Sequence, residues 1–320
     1  MVLYLCYVVQ LDCQSQFKIG RIVNFRMKGK LILVGASGTI GAATLEVARR
    51  NGLDVLPTYR TRVLPGGVCF KLETDSLDVL NIEAGDALII FAAFSDQEWV
   101  RTHPLQAYAL NVTATARLAR EARRKKARFI FLSSEAVFGE SQDAGWTETS
   151  LPCPVTEYGR QKHEMERILQ TMSGTCIVRT GWNVSLRLAD RCVVRNTYEA
   201  LLGESARLAK GNVFSLTDVN DTATLLIQVA MERTTGIVHA VSGIPTTRTF
   251  MADEIIRNSV KRRDMGYEET QFADLTFKEP KTACAWLTAT HEVLHRIPAF
   301  VLPPEIISRK VRMLDAELEA

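Results

Sequence analysis

At 320 residues, 47% of them hydrophobic and 23% charged, the chain has the composition of a soluble globular protein, long enough for one large α/β domain or two lobes. A net charge of only +3 gives no electrostatic reason to expect nucleic acid or a membrane surface as partner, and no apolar run is long enough for a membrane span. The seven cysteines are scattered, odd in number and without a Cys-x-x-Cys, which fits free thiols in a reducing compartment and gives the cytoplasm as the expected location.

The apolar start, VLYLCYVV, has no basic residue ahead of it and no small-residue cleavage site after it, a poor match to a signal peptide. Strand-like sequence of the dinucleotide type begins only at Lys30, so residues 1–27 are expected to be an extension outside the fold, an added edge strand being the alternative. LILVG at 31–35 then reads as a buried strand, 39–52 as a helix ending at a glycine, and 53–60 as a second strand. ALIIFAA at 87–93 is another strand, and 104–126 reads as one long helix opened by a proline. Its basic end, RRKKAR at 123–128, suits a solvated last turn, where cations complement the helix dipole. RFIFLSS at 128–134, a helix carrying Tyr158, the strand TCIVRTG at 175–181, a helix over 219–236 and a strand over 237–243 follow. Fully apolar strands alternating with helices predict a parallel sheet covered on both faces, which binds ligands beyond the carboxyl ends of its strands.

Gly35, Gly38 and Gly41, in GASGTIG, stand between the first strand and the first helix. Glycine there permits a tight turn, a close approach of backbone to a pyrophosphate and close helix–strand packing, while the helix N-terminus offers unpaired N–H groups. Gly35, Ser37, Gly38, Thr39, Ile40 and Gly41 are therefore the expected dinucleotide cradle, set against a loop that merely needs glycine. The next strand ends PTYRTR, with no acid to grip the adenosine ribose hydroxyls. Arg60 and Arg62 are available there to a 2′-phosphate, so NADP(H) is expected in preference to NAD(H), the alternative being solvent-facing arginines.

Tyr158 and Lys162, four apart in TEYGRQKHEM, share one helix face, which by itself is equally a feature of helix surface. Together with the glycines and FLSSEAVF at 131–138, this pair makes the chain resemble an extended short-chain dehydrogenase/reductase over about residues 30 to 260. Within that superfamily it most resembles the dTDP-4-dehydrorhamnose reductase group of nucleotide-sugar enzymes. FAAFSD, HPLQAYALNVTATARLA, SSEAVF, WTETSLPCPVTEYGRQK, IVRTGW, VNDTATLLI and GIVHAVSG carry the resemblance through their order and spacing. Hydride transfer to a ketone builds negative charge on oxygen that must be protonated, and the resemblance implies Tyr158 as that proton donor. It implies Lys162 as support for the phenolate and as a hold on the nicotinamide ribose. Ser134 would orient the carbonyl, with Ser133 as the fallback. It further implies Ala92, Ala93 and Asn111 beside the cofactor and Glu135 beside the substrate. Thr180, Trp182 and Arg187 are candidate substrate contacts by position alone. The chain departs from the group at Glu135-Ala136, where Asp-Tyr is usual, at Phe91, where Asn is usual, and from EPKTACAW onward.

HEVLH at 291–295 fits the zinc pattern His-Glu-x-x-His, but Pro298 would end such a helix within a turn and no third histidine follows, so a chance match and no metal are expected. His239 is expected to be a strand residue with a satisfied hydrogen bond. The expected architecture is α/β, a doubly wound parallel (Rossmann) sheet with a smaller C-terminal substrate lobe. Residues 28–180 would form the NADP-binding domain, with 214–241 returning to it, and 181–213 and 242–320 would form the lobe. The expected function is NADPH-dependent reduction of a nucleotide-linked 4-keto-6-deoxy sugar, with that small molecule as partner, a homodimer allowed, and neither nucleic acid nor membrane involved. Two alternatives stand: an epimerase or dehydratase of the same superfamily, and a non-catalytic NADP-binding regulatory subunit.

Overall fold

The computed structural model describes residues 27–140, 144–203, 206–279 and 281–319. The expected N-terminal extension lies outside these residues except for Met27, whose side chain packs against the sheet core. The first half of the chain runs β1 (Leu31–Val34), α1 (Thr39–Arg50), β2 (Val55–Tyr59), β3 (Val68–Cys69), β4 (Ala87–Ile90), α2 (Gln97–Thr102), α3 (Pro104–Tyr108), α4 (Thr115–Arg124), β5 (Arg128–Ser134), α5 (Glu157–Gln170) and β6 (Thr175–Thr180). The second half runs β7 (Trp182–Val184), α6 (Val193–Leu201), β8 (Arg207–Lys210), β9 (Val213–Asp218), α7 (Val219–Glu232) and β10 (Gly236–Ala240). It ends with β11 (Pro245–Thr247), α8 (Arg248–Asn258), β12 (Glu268–Gln271), β13 (Cys284–Ala285) and α9 (Pro303–Glu319).

Among the described residues the main sheet has the order β3-β2-β1-β4-β5-β6-β10, every pair parallel. The chain leaves β1 toward β2 and β3, then crosses back to β4, so the winding reverses between β1 and β4 and a crevice opens at their carboxyl ends. The strands are apolar on both faces because both are covered. Leu31 and Leu33 join the core under α1 and α7, while Ile32 and Val34 join the core under α4 and α5. A second sheet, β11-β9-β13 with β7 on β9, stands beside the crevice, and α6, α8 and α9 pack a third core behind it.

One expectation needs correction and two gain detail. The helix over 104–126 runs unbroken from Pro104 to Arg124, but between α3 and α4 it widens into a π turn, Ala109–Ala114, which carries Asn111. The basic run is not all solvated, since Arg128 is buried and its guanidinium donates to the carbonyls of Val229, Ala230 and Thr234 at 2.9, 2.6 and 2.6 Å, capping the end of α7. HEVLH folds as a short 3-10 turn, Glu292–Arg296, with His291 Nδ1 accepting the Val293 N–H. Its two histidines therefore lack the α-helical spacing that the zinc pattern needs.

Candidate active site

The crevice widens into a cleft of about 830 Å³ between the carboxyl ends of the main strands and the second sheet. Its floor is the glycine loop. Gly35 has φ +87°, and a Cβ there would come within 2.8 Å of the Ala92 nitrogen; one on Gly41 would come within 2.7 Å of the Gly35 carbonyl. Gly38 precedes α1 with no side-chain cap, and the first turn of α1 holds no acid. The N–H groups of that turn therefore face the cleft beside Gly38, Thr39, Ile40 and Gly41 without competing protein charge, a cradle that fits a dinucleotide pyrophosphate. Gly35 and Ala92 meet behind this loop, Ala93 and Phe91 line the cleft beside it, and Ser37 is outside the lining.

The wall opposite the glycines comes from β5 and α5. Thr156 caps α5 through its hydroxyl, which accepts the Gly159 N–H at 3.0 Å. Gly159 lets α5 lie directly on the turn after β5, since a Cβ there would sit 2.0 Å from the Ala136 carbonyl. That contact sets Tyr158 beside Ser134, whose hydroxyl acts on the phenol and accepts the Ala136 N–H at 3.2 Å. Ser133 turns the other way and donates to Glu166 at 2.5 Å. Lys162 is buried; its Nζ donates to the Leu132 carbonyl at 2.8 Å and lies 4.5 Å from the centre of the Phe131 ring. Burial pushes the Tyr158 phenol up, opposed by the Ser134 hydroxyl, so it is held neutral as an acid must be. Burial also draws the Lys162 ammonium down to about 8, opposed by the charge of Glu166.

Glu135 is buried in the same wall. Its carboxyl receives the Ser215 N–H at 3.4 Å, and that contact and the Trp182 indole favour the charged form, yet burial dominates and pushes it up to about 8. Trp182 lines the far side with Phe214, their ring centres 6.1 Å apart, and Arg248 lies over both at 5.8 and 5.6 Å.

Several expected residues are placed elsewhere. Asn111 is buried away from the cleft. Its side-chain oxygen accepts the Phe94 N–H at 2.8 Å, and its amide donates to the Phe94 carbonyl and to Gln161, both at 3.0 Å. It thus steadies the 91–96 loop, which lines the cleft, rather than facing a cofactor itself. Arg187 is outside the cleft wall, 3.8 Å from Asp190, and Arg191 lines the cleft instead. Arg60 is exposed and paired with Glu73 at 2.8 Å; Arg62 is exposed nearby. His239 is where it was expected, on strand β10 and fully buried, with Nδ1 2.7 Å from the Thr288 carbonyl. The sequence reading missed Arg248, Phe214 and the aromatic pair Phe272 and Phe277. Only Arg248 carries a local signal: it opens α8, where a cation opposes the helix dipole and so calls for another reason to be there.

A doubly wound sheet with a glycine cradle and a Ser–Tyr–Lys group at one cleft defines a dinucleotide-type Rossmann protein. Residues 29–291 match the RmlD substrate binding domain, and the chain belongs to that family. It is 28% identical over 158 residues to a dTDP-4-dehydrorhamnose reductase of Mycobacterium tuberculosis, covering 48% of this chain and 50% of that one. It is 30% identical over 157 residues to methionine adenosyltransferase 2 subunit beta of Xenopus tropicalis, covering 47% and 46%. The chain thus spans about half the length of these relatives. In three dimensions it resembles dTDP-4-dehydrorhamnose reductase from Bacillus anthracis in complex with NADP, with a TM-score of 0.75 over 88% of this chain and 98% of that one; at 17% identity this is a likeness of fold.

Proposed function

We propose that the chain binds NADP(H) along the glycine cradle and reduces the keto group of a nucleotide-linked 4-keto-6-deoxy sugar. The observation that carries this reading is the convergence of Ser134, Tyr158 and Lys162 on one wall of the cleft, across from the open N-terminus of α1. Gly38, Thr39, Ile40 and Gly41 would hold the pyrophosphate, Lys162 the ribose, and Arg60 and Arg62 the 2′-phosphate; the nicotinamide, when bound, supplies the hydride. Ser134 orients the substrate carbonyl, and the neutral Tyr158 phenol gives its proton to the carbonyl oxygen as negative charge develops there. Lys162 then holds the phenolate by charge. Trp182, Phe214 and Arg248 offer aromatic faces and a cation to the nucleotide half of the substrate.

The test is loss of NADPH absorbance when the purified protein meets nucleotide-linked keto sugars; oxidation with at least one of them, and none with the matching alcohols, is the expected result. The second reading is a non-catalytic NADP-binding regulatory subunit, favoured by the 30% identity to the adenosyltransferase beta subunit. It predicts NADPH binding with no oxidation by any keto sugar, and co-purification with a second polypeptide.

A further inference from the structure

Glu166 lies one helical turn beyond Lys162 on α5, as Lys162 lies one turn beyond Tyr158. It is 1% exposed, and besides the Ser133 hydroxyl its carboxylate takes Nε and Nη2 of Arg179 at 3.0 and 2.7 Å. Arg179, on β6, is fully buried, and its Nη1 stands 3.4 Å from Nε2 of His239 on β10. With His239 Nδ1–H donating to the Thr288 carbonyl, Nε2 is left to accept from Arg179 and the ring is neutral; burial favours that state by pushing its pKa down. A line of polar contacts therefore crosses the sheet from the Tyr–Lys helix through β5, β6 and β10. An enclosed ion pair of this kind adds little net stability over apolar side chains of the same volume, so its place directly behind Lys162 calls for another reason.

Lys162 supplies it. Its ammonium meets one carbonyl and two aromatic rings, and among the described residues no acid forms an ion pair with it. The carboxylate that acts on it electrostatically is Glu166. We propose that Glu166 and Arg179 are positioning residues for Lys162: Glu166 supplies the negative charge that keeps the enclosed ammonium protonated, and Arg179 holds and partly offsets that charge. The other groups facing Lys162 are the neutral Tyr158 and Ser134 from α5 and β5, with Arg179 and the neutral His239 behind Glu166. Asp96, Glu98, Glu135, Arg191, Arg248 and Lys281 stand around the shared cleft.

The consequence for turnover rests on the role proposed for Lys162 above, but the measurement does not. In full-length protein labelled with 13C at the lysine Cε, with no cofactor or substrate added, the Lys162 signal is assigned by its loss in Lys162→Met and titrated from about pH 6 to 11. The wild type is expected to have the highest midpoint. Glu166→Gln, which keeps the acceptor oxygen but leaves Arg179 unopposed, is expected to have the lowest, about one pH unit or more below the wild type. Glu166→Gln with Arg179→Met is expected between them. A purely structural pair would give no such order, because the double variant disturbs more contacts and yet recovers. An unchanged midpoint in Glu166→Gln overturns the proposal. So does a double variant equal to the wild type, an arm that stands whether or not Glu166→Gln folds. Failure of the keto-sugar assay with this order intact would count against the reductase reading alone.

Discussion

The ammonium of Lys162 lies 5.6 Å from the centre of the Tyr158 ring, one turn along α5, with the Ser134 hydroxyl acting on the phenol. Tyr158→Phe keeps the ring and its packing but removes the proposed proton donor. General-acid catalysis is worth about 10²–10⁴-fold, so keto-sugar turnover is expected to fall by that order while the NADPH dissociation constant stays near wild type. Lys162→Met is expected to damage both. Steady-state kinetics paired with fluorescence titration of NADPH separates the two variants, and a Tyr158→Phe protein turning over at the wild-type rate removes Tyr158 from the mechanism.

Glu135 makes stability depend on pH in a defined direction. Its value of about 8 in the folded protein stands above the ordinary 4.5, so across that window the folded state holds a proton the unfolded state has lost. Stability that is fully present below 4.5 is therefore lost as pH rises toward 8. Glu135→Gln stays neutral throughout. Relative to its own value at acid pH it should gain on the wild type as pH rises, by on the order of 3–5 kcal/mol at most. Denaturant melts of both proteins at several pH values measure this, and parallel pH profiles would place Glu135 outside the enclosed wall.

Cofactor choice turns on Arg60 and Arg62. A charge-assisted pair with phosphate is worth about 1.5–3 kcal/mol, so Arg60→Ala is expected to weaken NADPH by one to two decades and leave NADH nearly unchanged. Because Arg60 is already paired with Glu73, Glu73→Gln should free the guanidinium and tighten NADPH modestly. Calorimetric titration of the two cofactors against both variants gives the answer, and equal wild-type affinity for NADPH and NADH would end the 2′-phosphate reading.

Gly159 tests the seating of α5. A methyl group there would meet the Ala136 carbonyl at 2.0 Å, with Pro154 at 3.1 Å behind it, so the helix must move off β5. Gly159→Ala is expected to cost about 1–3 kcal/mol and to lower turnover more than stability, since Tyr158 moves with the helix. Gly174→Ala is the control: it has a positive φ of +76° but nothing within 4 Å, and its cost should be confined to stability. Comparable loss of turnover in both would show that α5 seating is not what Gly159 provides.

The sheet is legible in the sequence because its signals are local. LILV, ALII and FIFL are continuous apolar runs that suit strands covered on both faces, and GASGTIG joins strand to helix with glycine at 35 and 41, where no side chain fits. Tyr158 and Lys162 are legible for the same reason, their relation being one helical turn. Ser134 and Ser133 are neighbours in sequence, and only the packed structure turns one to the phenol and the other to Glu166. Asn111 is found as a feature of its helix, but the π turn and the Phe94 loop 17 residues away decide that it supports the cleft instead of facing it. Arg248 reaches the cleft from α8, where it bonds Thr197 from 51 residues away, and Glu279 accepts the Glu157 N–H across 122 residues. Periodicity reports which face of an element is buried. It carries no term for which distant element covers that face, and Phe214 and Arg248 on the far wall of this cleft are such coverings.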